Sequence, residues 1–125
     1  MILVDTSVWV DHLRSGVQDL MTELDHGAVL MHPFVLGELA CGNLRNRASL
    51  LGLLGSLPSA VAATDAETLV FIERRALHGK GIGYLDAHLL ASVQLTNGAT
   101  LWTRDRRLRG VAENLGCAFQ SRGMH

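Results

Sequence analysis

The sequence predicts an α/β fold, a three-layer α/β/α sandwich with a central, mainly parallel sheet, built as a single domain over residues 1–125. Three observations carry this expectation. Short apolar runs alternate with longer stretches of helical spacing, as strands and crossover helices do in parallel sheets. The runs Ile2-Leu3-Val4 and Thr100-Leu101-Trp102-Thr103 lack polar alternation, which suits strands covered on both faces. With 125 residues, 48% of them hydrophobic, the chain can close one core and does not read as disordered.

Taken in order, Met1 to Val4 is a short buried strand. Thr6 or Ser7 caps a helix through Trp9, Val10 and Leu13, ending near Ser15-Gly16. A second helix runs from about Val17 to His26 and stops at Gly27, a left-handed terminating position. Ala28 to Met31 is a strand. Pro33 suits the first turn of a helix carrying Val35, Leu36, Leu39 and Leu44, and residues 47–55 form another. Ala60 to Ala63 reads as a short strand. Thr64-Asp65-Ala66-Glu67 is a capping-box signature opening a helix through Leu69, Ile72 and Leu77. The glycine-rich loop His78 to Gly83 leads into a helix from about Tyr84 to Leu95, closed by Asn97-Gly98. Thr100 to Thr103 is a strand, 106–115 a helix, and Cys117 to Phe119 a last strand.

Composition excludes several classes. No apolar run approaches the roughly 20 residues that span a bilayer, and no basic segment of secretory type precedes the first strand, so a soluble cytoplasmic protein is expected. Cys41 and Cys117 fit no zinc or redox spacing and read as reduced core thiols. The formal net charge of −1 hides an asymmetry: residues 1–70 carry three arginines against eight acids, residues 71–125 eight bases against four acids. Such a split suits a polyanionic partner.

Four acids carry the chemistry. Asp5 and Asp105 close apolar runs, placing them at strand ends, where open α/β sheets bind ligands. Glu38 and Asp86 interrupt apolar helical patterns, and a carboxylate in such a place needs a partner or a cation. Mg²⁺ and Mn²⁺ prefer oxygen ligands, so three or four carboxylates suit them better than zinc. Two such ions can flank a phosphodiester, one activating water and the other stabilising the leaving oxygen. Each acid also has a plainer reading. Asp5 can cap the first helix, Asp86 can be a first-turn acid, and Asp105 can pair with Arg104 or Arg106 on the surface. Glu38, beside Val35, Leu36 and Leu39, is the hardest to explain in that way.

Arg104, Arg106, Arg107 and Arg109 cluster after the last strand as phosphate contacts or a solvated turn. Lys80, the only lysine, sits in the glycine-rich loop, either touching phosphate or simply exposed on a flexible turn. The loop is not a phosphate-binding GxxxxGK[ST] motif. His88, two residues from Asp86, does not share its helix face, and no histidine is assigned as a general base. An aspartyl phosphatase would need a second acid where Ser7 stands, and a receiver domain a late lysine that Lys80 does not supply. A metal-binding but inactive RNA-binding module is the non-enzymatic alternative.

The motifs Ile2-Leu3-Val4-Asp5-Thr6-Ser7, Gly37-Glu38-Leu39-Ala40-Cys41-Gly42, Tyr84-Leu85-Asp86-Ala87-His88-Leu89-Leu90-Ala91 and Leu101-Trp102-Thr103-Arg104-Asp105 resemble those of PIN-domain ribonucleases, more narrowly the VapC toxins of bacterial toxin–antitoxin pairs. Their order and spacing cover nearly the whole chain. The resemblance implies metal binding by Asp5, Glu38, Asp86 and Asp105, with Thr103 and Thr6 or Ser7 in support. It further implies an Mg²⁺- or Mn²⁺-dependent endoribonuclease acting on structured RNA, commonly transfer or ribosomal RNA. A homodimer and a cognate VapB-type antitoxin that blocks the site belong to the same expectation. Trp9 and Leu13 would face that antitoxin or, alternatively, pack in the core. Many relatives carry a further acid after the fourth; Arg106 and Arg107 follow here, so no fifth ligand is expected.

Overall fold

The computed structural model describes residues 1–121, so residues 122–125 of the expected domain lie outside it. Its elements follow the order β1 (Ile2–Val4), α1 (Thr6–Ser15), α2 (Gln18–Asp25), β2 (Val29–Leu30), α3 (Pro33–Ala40), α4 (Arg47–Gly55), α5 (Asp65–Arg74), α6 (Tyr84–Leu95), β3 (Thr100–Trp102) and α7 (Arg106–Asn114). The strands form a parallel sheet in the order β2-β1-β3. Ile2 and Leu3 register with Val29 and Leu30 on one side. On the other side Ile2, Leu3 and Val4 face Thr100, Leu101 and Trp102. Successive strand residues point to opposite faces, yet all three residues of β1 are buried. The sheet is therefore covered on both sides, and the architecture is the expected α/β/α sandwich.

From β1 the chain moves outward to β2, then crosses to the other flank for β3. This reversal creates a crevice at the carboxyl edge of β1 and β3, the place where such sheets bind ligands. Asp5 follows β1 directly, and Thr103 follows β3. Leu3, Leu90 and Leu108 are fully buried and join sheet, α6 and α7 in one core. Each such side chain contributes about 1.5–3 kcal/mol relative to exposure. Helix α6 is buried without a break from Ala87 to Val93, so its polar residues need internal partners. Ser92 Oγ lies 3.0 Å from His32 Nε2 and accepts the Ala63 N–H at 3.0 Å. Burial, and secondarily the charge of His88, lowers the His32 pKa to about 4.

Several local expectations are corrected. Ala60 to Ala63 is not a strand: pairing is limited to a bridge between Met31 and Ser59. The Val61 and Ala63 amides donate instead to the hydroxyls of Thr96 and Ser92 on or beside α6. Cys117 to Phe119 likewise reduces to one bridge, Leu101 to Ala118. Helix α3 ends at Ala40, leaving Leu44 in the following loop, and α5 ends at Arg74, before Leu77. Cys117 is a buried thiol as expected, but Cys41 is exposed. The capping box at Thr64 and Glu67, Pro33 in the first turn of α3, and Gly27 at φ 65° stand where the sequence places them. Among the described residues no helix is long and apolar enough to cross a membrane.

Candidate active site

Asp5, and not Thr6 or Ser7, is the N-cap of α1. Its Oδ1 accepts the Thr6 N–H at 2.8 Å. Its Oδ2 accepts two hydroxyls, Ser7 Oγ and Thr103 Oγ1, each at 2.8 Å. Thr103 is 3% exposed and also accepts the Asp105 N–H at 3.0 Å, while Ser7 Oγ accepts the Arg104 N–H at 3.0 Å. The ends of β1 and β3 are thus stitched together through side chains, continuing the Asp5 N–H to Trp102 C=O bond at 2.9 Å. With both oxygens engaged by these donors, Asp5 is held in one orientation rather than presented as a free nucleophile, which disfavours the aspartyl phosphatase reading.

The other acids come from three further elements. Asp105 is the N-cap of α7, its Oδ1 accepting the Leu108 N–H at 2.9 Å. Glu38 is exposed on α3 rather than sunk in an apolar face, and its Oε1 accepts the Thr6 hydroxyl at 2.7 Å. Asp86, half-buried in the first turn of α6, accepts the Gly83 N–H through Oδ2 at 3.2 Å. Burial pushes the Asp86 carboxyl above the ordinary carboxylate range. The Gly83 bond opposes this shift, and the charges of Asp5, Asp105 and Glu38 add to it. The charges of acids on three other segments therefore reach Asp86.

Among the described residues no three acid, histidine or cysteine side chains converge as a preformed metal cage. The described ion pairs, His88–Asp65 and Arg104–Asp11, include none of the four acids. The four acids offer oxygen-only donors, none of them engaged in an ion pair among the described residues. Such a donor set fits a hard divalent cation, with Asp5, Glu38, Asp86 and Asp105 as the residues able to hold it.

Two features beyond the expected set adjoin the acids. Asp65 Oδ1, at the start of α5, accepts Tyr84 O–H at 2.7 Å and lies 2.8 Å from His88 Nε2. Tyr84 and His88 bracket Asp86 on α6, so Asp65 anchors the turn that presents it. The Tyr84 and His88 bonds hold the exposed Asp65 carboxyl below its ordinary value. Only the place of Asp65 in the first turn of α5 is visible in sequence, because its α6 partners lie 19 and 23 residues away. A groove of about 610 Å³ also opens beside Thr6 and Glu38, lined by Val10, Leu13, Arg14, Leu39 and Arg45 among others. Trp9 is not part of it: at 2% exposure it packs in the core, whereas Leu13 lines the groove.

The basic residues divide. Arg104 lies 3.2 Å from Asp11 and 6.0 Å from the Trp102 ring centroid. Arg106, Arg107, Arg109 and Lys80 are exposed.

The PIN domain family model matches residues 2–114, and the chain belongs to that family. Within it the chain is of the VapC type. It is 45% identical over 119 residues to Ribonuclease VapC32 of two Mycobacterium tuberculosis strains, covering 95% of this chain and 96% of the relative. The crystal structure of FitAcB from Neisseria gonorrhoeae superposes with a TM-score of 0.64 at 24% identity, over 90% of this chain and 94% of that one. At that identity the likeness supports the shared fold alone.

Proposed function

We propose that the chain is a divalent-metal-dependent endoribonuclease that hydrolyses phosphodiester bonds in structured RNA, as the toxin of a VapBC-type pair. One observation carries the reading: carboxylates from three other segments reach Asp86 at the carboxyl edge of a parallel sheet, in a chain 45% identical to a VapC ribonuclease. Mg²⁺ or Mn²⁺ held there would supply Lewis acidity toward a phosphodiester and lower the pKa of attacking water. Asp5 is kept in one orientation by the Thr6 amide and the Ser7 and Thr103 hydroxyls. Thr6 steers Glu38, and Gly83 steers Asp86. The crevice at β1 and β3 positions the RNA strand, with Arg106, Arg107 and Lys80 as sequence-independent phosphate contacts. Arg104 contributes there only after releasing Asp11.

The groove beside Glu38 offers apolar walls and two arginines, which suits a VapB-type antitoxin segment with apolar anchors and acidic residues. The resemblance to VapC proteins is what supports a homodimer acting in the cytoplasm.

The test is incubation of purified, antitoxin-free protein with total cellular RNA and Mg²⁺ or Mn²⁺, beside EDTA and Asp5→Asn controls. Discrete fragments lost in both controls are expected. Intact RNA with metal binding confirmed would replace this reading with the inactive RNA-binding module.

A further inference from the structure

Arg107 follows Asp105 by two residues, in the first turn of α7. Gly81 precedes Gly83, the amide partner of Asp86, by two residues. These two segments touch at an unusually close point. Gly81 has φ +79°, and a Cβ built on it would lie 2.6 Å from Arg107 Cδ, 2.9 Å from Nη1 and 3.2 Å from Nε. The arginine side chain therefore runs flat across a bare α-carbon, in space that any other residue would fill. Positive φ and the missing side chain both require glycine there.

The contact sets a cation between the turn that carries Asp105 and the loop that leads to Asp86. Among the described residues Arg107 makes no ion pair and no side-chain hydrogen bond. Its stem and one edge of the guanidinium lie over the loop, and the exposed side chain keeps N–H donors for an oxyanion contact. Arg104, by contrast, is engaged with Asp11.

We propose that Gly81 is a notch that holds Arg107 between the Asp105 turn and the loop leading to Asp86, where its guanidinium grips a phosphate of the RNA strand next to the cleaved bond. Arg107 is then a substrate contact and Gly81 its positioning residue. The proposal rests on the ribonuclease reading above and names the group that seats the substrate.

The experiment compares wild type, Arg107→Ala, Arg107→Lys, Gly81→Ala and the Gly81→Ala/Arg107→Ala double variant. It measures kcat and KM on bulk transfer and ribosomal RNA, and binding of a fluorescein-labelled 20-nucleotide RNA across salt concentrations. Arg107→Ala is expected to raise KM about ten-fold, the loss of one charge-assisted contact, with kcat nearly unchanged. The slope of log affinity against log salt should fall by about 0.7–0.9, one phosphate contact. Gly81→Ala should reproduce the rise in KM although the arginine is retained, and the double variant should be no worse than Arg107→Ala. Arg107→Lys should recover part of the salt slope and little of KM.

Unchanged KM in Gly81→Ala, or additive effects in the double variant, would overturn the notch. If Gly81→Ala fails to fold, the Arg107→Ala and Arg107→Lys pair decides the clamp. Wild type that binds the labelled RNA but cuts nothing would sink the ribonuclease reading and leave the salt slope to judge Arg107. Wild type that cuts, with Arg107→Ala unaltered in slope and KM, would sink the clamp alone.

Discussion

Thr103→Val changes one hydroxyl into a methyl at a site 3% exposed to solvent, so its effect is almost purely one of hydrogen bonding. Two short bonds vanish, the donation to Asp5 Oδ2 at 2.8 Å and the acceptance of the Asp105 N–H at 3.0 Å, together with a longer contact to Ser7 Oγ at 3.4 Å. The first has a charged acceptor, and bonds of that kind contribute about 1.5–3 kcal/mol. The second leaves an amide in part-buried surroundings without its partner, for about a further 1 kcal/mol. Burying a methyl in place of a hydroxyl recovers part of this, so the net loss is about 2–3 kcal/mol. Thr103→Ser keeps both bonds and deletes one methyl, for about 1 kcal/mol. Urea unfolding in EDTA reads the difference as a shift of the midpoint at constant slope. Cleavage should follow the same order, since Asp5 in the valine variant keeps Ser7 but loses its link to β3. A valine variant as stable as the serine variant, or within about 0.5 kcal/mol of wild type, would refute the claim that this hydroxyl joins the two strand ends.

Three other predictions come from neighbouring groups. Asp86→Asn should raise the melting temperature in EDTA while abolishing cleavage, because burial and three like charges disfavour the charged carboxyl; a lower melting temperature would contradict the shared field. His32 should make stability depend on pH. Its pKa falls from 6.5 to about 4 on folding, so its contribution is complete above pH 6.5 and disappears as pH falls toward 4, in full about 3 kcal/mol. Urea midpoints from pH 7 to 4 should therefore fall less in His32→Asn than in wild type, and parallel curves would count against it. Asp65→Ala should weaken Mn²⁺ binding, measured calorimetrically, whereas Asp65→Asn, which keeps an acceptor for Tyr84 and His88, should restore it; equal loss in both would refute the anchoring of the Asp86 turn through these bonds.

The parts of the fold that were legible in the sequence rest on local rules. Unalternating apolar runs located β1 and β3, and the capping box and Pro33 located the starts of α5 and α3. The four acids could be singled out because each breaks a local pattern. What escaped depends on groups distant in the chain. The segment at Ala60 looks extended, but its amides are satisfied by hydroxyls of Ser92 and Thr96 about a helix away, so it never joins the sheet. Glu38 looked buried from its neighbours, yet α3 exposes it and Thr6 holds it. The Arg107–Gly81 contact has no local signature at all, since a glycine in a loop ordinarily reports only a turn.

The bond between Asp5 and Thr103 spans 98 residues. During synthesis at about 5–20 residues per second, roughly 5–20 s separate the appearance of the carboxylate from that of its hydroxyl. Parallel pairing across such a loop is also entropically late, because closure must precede any contact that rewards it. A nascent chain that has passed Asp86 already carries three of the four acids, but neither β3 nor the hydroxyl that ties Asp5 to it. The acidic centre thus comes into being only once Thr103 and Asp105 have emerged, and a chain broken off before Thr103 lacks the hydroxyl that joins Asp5 to the Asp105 turn. In this architecture the order of the segments delays the assembled centre behind the appearance of most of its acids.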